Sequence, residues 1–157
     1  MVLSSASNAA AITAASRWVV FACGDHWFGL PLQRTREILP PRPITRLPGC
    51  GPEVAGLTGI RGRVVTVFDF GVLLVGSASA QKPEHRLLVV VVAGKRVAVL
   101  VDEIIAVTRE AAGVLPLAAE ALKPYDIERA DVIGIGAHEE QPFLALDPDH
   151  ILVPLLT

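Results

Sequence analysis

Aromatic residues are scarce in this 157-residue chain: five Phe, two Trp and one Tyr. Grooves for single-stranded nucleic acid stack bases on aromatic side chains over a basic surface. Here 14 Lys and Arg are outnumbered by 16 Asp and Glu, so nucleic acid is not an expected partner. Cysteine is almost absent as well. Cys23 and Cys50 form no CxxC pair and no dense framework, which argues against a disulfide-stapled secreted scaffold and for a reducing cytoplasm. Long apolar runs are also missing, although 52% of the residues are hydrophobic and the mean hydropathy is +0.50. The longest run, Leu87–Ala93, is cut by Gly94-Lys95-Arg96, whereas a spanning helix needs about 20 apolar residues. Direct membrane insertion is therefore not expected. Surplus apolar residues in such a chain suit strands buried on both faces, or patches kept for partners.

Charge is missing altogether from residues 1–16, which also lack the positive start of a secretory signal. They are expected to form a flexible tail before a single domain over residues 17–157. Within that domain the charge is uneven. Residues 17–63 carry seven Arg against Asp25, Glu37 and Glu53, a net of +4, and residues 64–157 carry a net of -6. Such a division suits charge-complementary association with another protein, or head-to-tail self-association.

The periodicity is mostly that of strands. Arg17–Cys23 and His26–Leu30 flank Gly24-Asp25 and predict a β-hairpin. In PLQRTREIL, Pro31 stands like a first helical residue, and Leu32, Thr35 and Ile38/Leu39 fall at helical spacing, so about two turns of helix are expected. Pro40, Pro41 and Pro43 would end it. Val54–Ile60 and Arg63–Phe68 around Arg61-Gly62 predict a second hairpin, with Gly62 supplying positive φ. Residues 76–85 are small and polar and predict a loop. Arg86–Ala93 and Arg96–Val101 predict a third hairpin with both faces covered, and Asp102–Thr108 a kinked strand. Residues 115–128 are expected to be irregular or briefly helical. Val132–Gly136 and Pro142–Leu146 predict a fourth hairpin before a short turn capped by Asp147.

An internal repeat is visible. Gly24 and Gly94 each interrupt two apolar runs, VAGL at 54–57 recurs as VIGI at 132–135, and Gly56 to Asp69 spans the same distance as Gly134 to Asp147. A duplicated β unit follows, each copy closing into a small barrel, because closure removes the exposed edges of hydrophobic strands.

Candidate chemistry is thin. Cys23 and His26 supply two potential ligands, where zinc needs three or four. Cys23 or Cys50 with His150 and Asp147 lacks any nucleophile-elbow motif. Gly49-Cys50-Gly51 and Gly134-Ile135-Gly136 lack the rest of a phosphate loop. A small hydrolase or metal-binding barrel using Cys23, His26 or His150 is the remote alternative. Arg61, at a hairpin tip, fits an interface better, since its planar fork bonds bidentately.

In order along the chain, RWVVFACGDHWFGLPL, TREIL, PITRLPG, VAGLTGIRGRVVTVFDF, RLLVVVVAGKRVAVLVDEIIAV, VIGIG and FLALDPDHIL resemble the CheW family of chemotaxis coupling proteins over about residues 17 to 153. The resemblance implies a mainly β fold of two small SH3-like five-stranded barrels packed together, with a few short helices. It implies no enzyme activity, cofactor or metal. It implies a cytoplasmic adaptor at membrane-associated receptor arrays, bridging the tips of methyl-accepting chemoreceptors to the regulatory domain of the CheA histidine kinase, with possible contacts between CheW-like copies in rings. Flagellar chemotaxis and a pilus or other chemosensory pathway are not separated by it. Arg61 of GIRG matches the arginine of the family's NLRG turn, Glu37 of TREI a glutamate at the end of the helix, and Gly56 of VAGL the glycine before the turn. With Thr35, Ile60 and Gly62, these are the expected partner-binding residues. Glu37 and Arg61 are expected to lie close enough to orient one another. Thr35 stands where valine is usual and Gly59 where Asn is frequent. A receptor helix could sit in an apolar groove between the barrels, and barrel ends near Ile60 and Pro40 could meet the kinase.

Overall fold

The computed structural model describes residues 16–109, 112–116, 122 and 131–156. Residues 1–15 of the expected tail, and most of 115–128, lie outside the described residues. Ser16 is buried and pairs with Ala112.

Among the described residues, ten strands form two five-stranded sheets. One has the order β8 (Glu103–Val107), β1 (Trp18–Cys23), β2 (His26–Pro31), β10 (Gln141–Leu146), β9 (Val132–His138). The other runs β3 (Thr35–Leu39), β6 (Arg86–Val92), β7 (Lys95–Val101), β5 (Arg63–Asp69), β4 (Val54–Ile60). Each has an antiparallel hairpin at its centre, β1–β2 or β6–β7, joined in parallel to a second hairpin. The chain beyond each edge strand then reaches the opposite edge. Thr45 exchanges backbone hydrogen bonds with Leu57 of β4, and Leu115 with Ile135 of β9. Both sheets thereby curl into barrels, the architecture expected.

The duplication is confirmed in detail. Strand β4 matches β9 and β5 matches β10 at the 78-residue offset read from sequence. Asp69 and Asp147 both cap short helices, α1 (Phe70–Val75) and α2 (Pro148–Leu152). For the central hairpins the offset is 69, not 70. Cys23 pairs with His26 around Gly24-Asp25, and Val92 with Lys95 around Ala93-Gly94. The third turn therefore lies one residue earlier than expected.

The largest core cluster lies between the barrels. Val19, Phe21 and Cys23 of β1 face Leu88, Val90 and Val92 of β6, with Phe70, Leu74 and Leu152 of the two helices. Alternate residues point into the barrels: Trp18 and Val20 with Phe143 in the first, Leu87 and Val89 with Ile60 and Val65 in the second. Strands covered on both faces explain the near-continuous Val/Leu runs. The space between the barrels is thus filled rather than an open groove. Ile38, at its rim beside Leu88, remains 40% exposed.

Two expectations fail locally. The helix over PLQRTREIL is a single 3-10 turn, Leu32–Arg34, followed by strand β3. Half-buried and exposed residues alternate along TREIL, with a bulge at Arg36 where it pairs with β6. Thr35, Ile38 and Leu39 fit either period. Pairing decides between them, because β6 would otherwise present an unpaired apolar edge. Glu37 accordingly stands on a strand rather than at a helix end. Helix α1, which the sequence reading did not anticipate, runs into the segment expected as a loop. Ser79 in that segment is buried, its N–H donating to Asp69 at 2.9 Å and its hydroxyl to Asp102 at 2.6 Å. No helix among the described residues is long and apolar enough to cross a membrane.

Candidate protein-interaction site

The tip of the second barrel is built from the β4–β5 hairpin. Ile60 pairs with Arg63, leaving Arg61-Gly62 as a two-residue turn with φ of 51° and 77°. Both angles are left-handed, the geometry that matches the twist of the flanking strands. Gly62 adopts it freely, whereas Arg61 does so against its Cβ. The glycine's part is legible in the sequence; the arginine's positive φ is not.

This backbone aims Arg61 at β3. Its Nε donates to Oε1 of Glu37 at 2.8 Å and its Nη2 to Oε2 at 2.9 Å. The expected proximity is therefore present as a bidentate pair. Arg61's hydrogen bond holds the Glu37 carboxyl below its ordinary range, with positive fields from Arg61, Arg96 and Arg42 in the same direction. Glu37 raises Arg61 in return. The arginine side chain is 73% exposed and the glutamate 19%. A guanidinium has five N–H donors. With two held by Glu37, the others face outward in a fixed orientation and can bond a partner's carboxylate or carbonyl oxygens.

The remaining expected residues divide. Gly62 is exposed at the tip. Ile60 points into the barrel and is 5% exposed, so it floors the tip rather than offering a free apolar contact. Thr35 begins β3, half-buried, and its Oγ1 is buried without a hydrogen-bond partner among the described residues. Gly56 is buried at the barrel seam, where a Cβ would stand 2.1 Å from the Thr45 carbonyl oxygen. Its place is structural. Gly59 is exposed, and a side chain there would meet open space. Prolines 40, 41 and 43 lie in the extended segment leading to the seam.

Sequence reasoning missed the second half of the tip. Parallel pairing of β5 with β7 brings the β6–β7 turn beside Arg61, so Arg63, Val64, Lys95 and Arg96 share one rim. The charges in GIRGR and AGKR were visible, but only topology makes them neighbours.

Three of the candidate catalytic groups, Cys23, Asp147 and His150, are occupied otherwise, while Cys50 is an exposed free thiol. Burial pushes the Cys23 thiol up to about 12, and its Sγ lies 3.8 Å from Ser79 Oγ. Asp147 accepts from the backbone of α2, and His150 Nδ1 bonds Asp131. No cluster of three or more His, Cys, Asp or Glu that could hold a metal occurs among the described residues.

Comparison with known proteins matches the CheW-like domain family over residues 17–154. Protein PilI of Pseudomonas aeruginosa is 27% identical, over 82% of this chain and 70% of its own length. Chemotaxis protein CheW of Klebsiella aerogenes is 24% identical, over 96% of this chain and 89% of its own. Among solved structures, the scaffolding protein TtCheW of Thermoanaerobacter tengcongensis superposes with a TM-score of 0.74 at 18% identity, covering 87% of each chain.

Proposed function

We propose that this chain, which belongs to the CheW-like domain family, is a non-enzymatic adaptor that couples methyl-accepting chemoreceptors to a CheA-type histidine kinase in cytoplasmic, membrane-associated arrays. The observation that carries this reading is the Glu37–Arg61 pair. An exposed arginine is held in one orientation by a half-buried carboxylate, at the turn where the family motif has its arginine. An exposed ion pair of this kind contributes little to stability. Its defined geometry is more useful for recognition, where a preset donor array lowers the ordering cost of binding.

In this reading Arg61 and Gly62 contact the partner, Glu37 orients Arg61, and Thr35, Gly56 and Ile60 hold the surrounding backbone. The filled core between the barrels makes the adaptor a rigid unit. A receptor signal would then pass as a change in placement of the kinase, which requires contacts that differ between receptor states.

The test is a pull-down of purified protein with a receptor cytoplasmic tip and a CheA regulatory domain, wild type beside Arg61→Glu. Wild-type binding to both, with capture of at least one abolished by the charge reversal, supports the reading. Folded wild-type protein that binds neither overturns it. The receptor and kinase that co-purify from cells decide between flagellar chemotaxis and a pilus or other chemosensory pathway.

A further inference from the structure

The two barrels share a framework but not a filling. In the first, Phe143 packs tilted against Trp18 with ring centroids 5.8 Å apart, and Gly29 and Gly136 leave room for the Phe143 ring. At the 78-residue offset Phe143 corresponds to Val65, and at the 69-residue offset Trp18 corresponds to Leu87. Among the described residues, the hydrophobic cluster of the second barrel is therefore aliphatic, without an aromatic ring, and its mouth opens into a depression of about 560 Å³. Ile60, Val65 and Val89 floor it, all buried, while Val64 on the rim is 74% exposed.

The rest of the rim is cationic. Arg61, Arg63, Lys95 and Arg96 line the mouth, and no carboxylate of a described residue does. Glu37 pairs with Arg61 and also lies in the field of Arg96, but the side chains of Arg63, Lys95 and Arg96 make no hydrogen bond or ion pair among the described residues. The chain as a whole carries a net charge of -2, so this concentration does not follow from overall basicity. One carboxylate, Glu37, faces four cations, so the rim keeps a net positive charge, and low-dielectric walls strengthen its attraction for a further anion.

From this we infer that the mouth of the second barrel is a docking site for an acidic partner segment that places one aliphatic side chain on the Val64–Val65 floor and carboxylates against Arg63, Lys95 and Arg96. The mouth shares Ile60 and Arg61 with the site proposed above, and the inference deepens that reading; failure of the peptide to bind would sink the inference while leaving the pull-down to decide the adaptor role.

The experiment is an NMR titration of the ¹⁵N-labelled full chain with the capped pentapeptide Asp-Glu-Leu-Glu-Asp, beside its Lys-Lys-Leu-Lys-Lys counterpart and an analogue with central Ala. The acidic leucine peptide should shift the amides of Val64, Val65, Lys95 and Arg96. Its apparent Kd should rise roughly tenfold between low salt and 0.5 M salt, as screening shortens the reach of the rim charges. A Lys95→Glu/Arg96→Glu double variant, altered only at the two exposed first positions of β7, should keep a native spectrum and lose the shifts. The Ala analogue should bind more weakly. No saturable shifts at the mouth, or equal shifts from the lysine peptide, would overturn the proposal. A sedimentation run in which the chain associates with itself through this mouth, reversed by changing Glu139 and Glu140 to Lys, would also overturn it by giving the site to a second copy.

Discussion

Replacing Gly56 with alanine should destabilise the protein by about 3–5 kcal/mol without touching the exposed tip. The new Cβ would lie 2.1 Å from the Thr45 carbonyl oxygen, so the two backbones must separate. Separation breaks both Thr45–Leu57 hydrogen bonds, each 2.8 Å long, which hold the seam of the second barrel. Each is worth roughly 0.5–1.5 kcal/mol. The φ of 144° at Gly56 adds about 1–3 kcal/mol of strain for any L-residue. Gly134 holds the matching seam, with a Cβ-to-Leu115 oxygen distance of 2.4 Å but no positive φ. Gly134→Ala should therefore cost less, about 2–3 kcal/mol. Gly59→Ala, in open space three residues from Gly56, should be neutral or gain about 0.5 kcal/mol. Urea denaturation followed by Trp18 and Trp27 fluorescence gives all three values by linear extrapolation. If Gly56→Ala fell within about 1 kcal/mol of wild type, or Gly59→Ala proved the more damaging, the seam argument would be wrong. The ranking also bears on function, since weakened partner binding by Gly56→Ala would then reflect an opened barrel rather than a missing side chain at the interface.

Further predictions concern individual groups. Thr35→Val should raise stability by about 1 kcal/mol in the same denaturation assay, because it removes a buried hydroxyl that has no partner among the described residues; a destabilised variant would show that the hydroxyl is satisfied in solution. Native protein should release one equivalent of thiol chromophore with Ellman's reagent, from exposed Cys50. The second, from Cys23, should react only on unfolding, since a thiol at about 12 is roughly one part in ten thousand thiolate at pH 8. Arg61→Ala and Glu37→Ala should weaken kinase or receptor binding by less in combination than the sum of their separate effects, and strict additivity would refute the orienting role. Glu37 has a lowered folded-state pKa, so its contribution is present above the unfolded value of about 4.3 and disappears as pH falls through the lower folded value. The stability gap between wild type and Glu37→Gln should close over that acid range, and a gap that persists to pH 2 would count against the ion pair.

The sequence made strands and turns legible wherever a glycine stood between apolar runs, as at Gly24, Gly62 and Gly94. It made the duplication legible because Gly56 and Gly134 are fixed by one steric need, the close passage of another backbone. The fate of TREIL was not legible. Its apolar residues satisfy both periods, and the deciding partner, β6, lies some fifty residues away. Helix α1 was hidden for a related reason: its cap, Asp69, also serves as the last residue of a strand. Of the site, Arg61 and Glu37 were legible from the family pattern, and so was their proximity. The cationic rim was not, because Lys95 and Arg96 become neighbours of Arg63 only through the parallel β5–β7 pairing.

Duplication followed by divergence gives this small fold two similar ends of unlike chemistry. The equivalent turns Arg61-Gly62 and Glu139-Glu140 both have positive φ at each position, so the backbone geometry has been kept. Their side chains carry opposite charge. The mouths below them have diverged too, one plugged by Phe143 and Trp18, the other open and aliphatic. The two ends are also fixed relative to one another. The shared core spans both barrels, Arg34 ties the chain entering β3 to Asp149 of α2 and to the Val91 carbonyl, and Asp102 receives Gly24 N–H from the first barrel and the Ser79 hydroxyl from the segment after α1. A displacement imposed at one end is then carried to the other with little loss to internal flexing, because close-packed interiors transmit strain. That is the mechanical property an adaptor between two proteins requires, and it resides in the packing between the barrels rather than in either end alone.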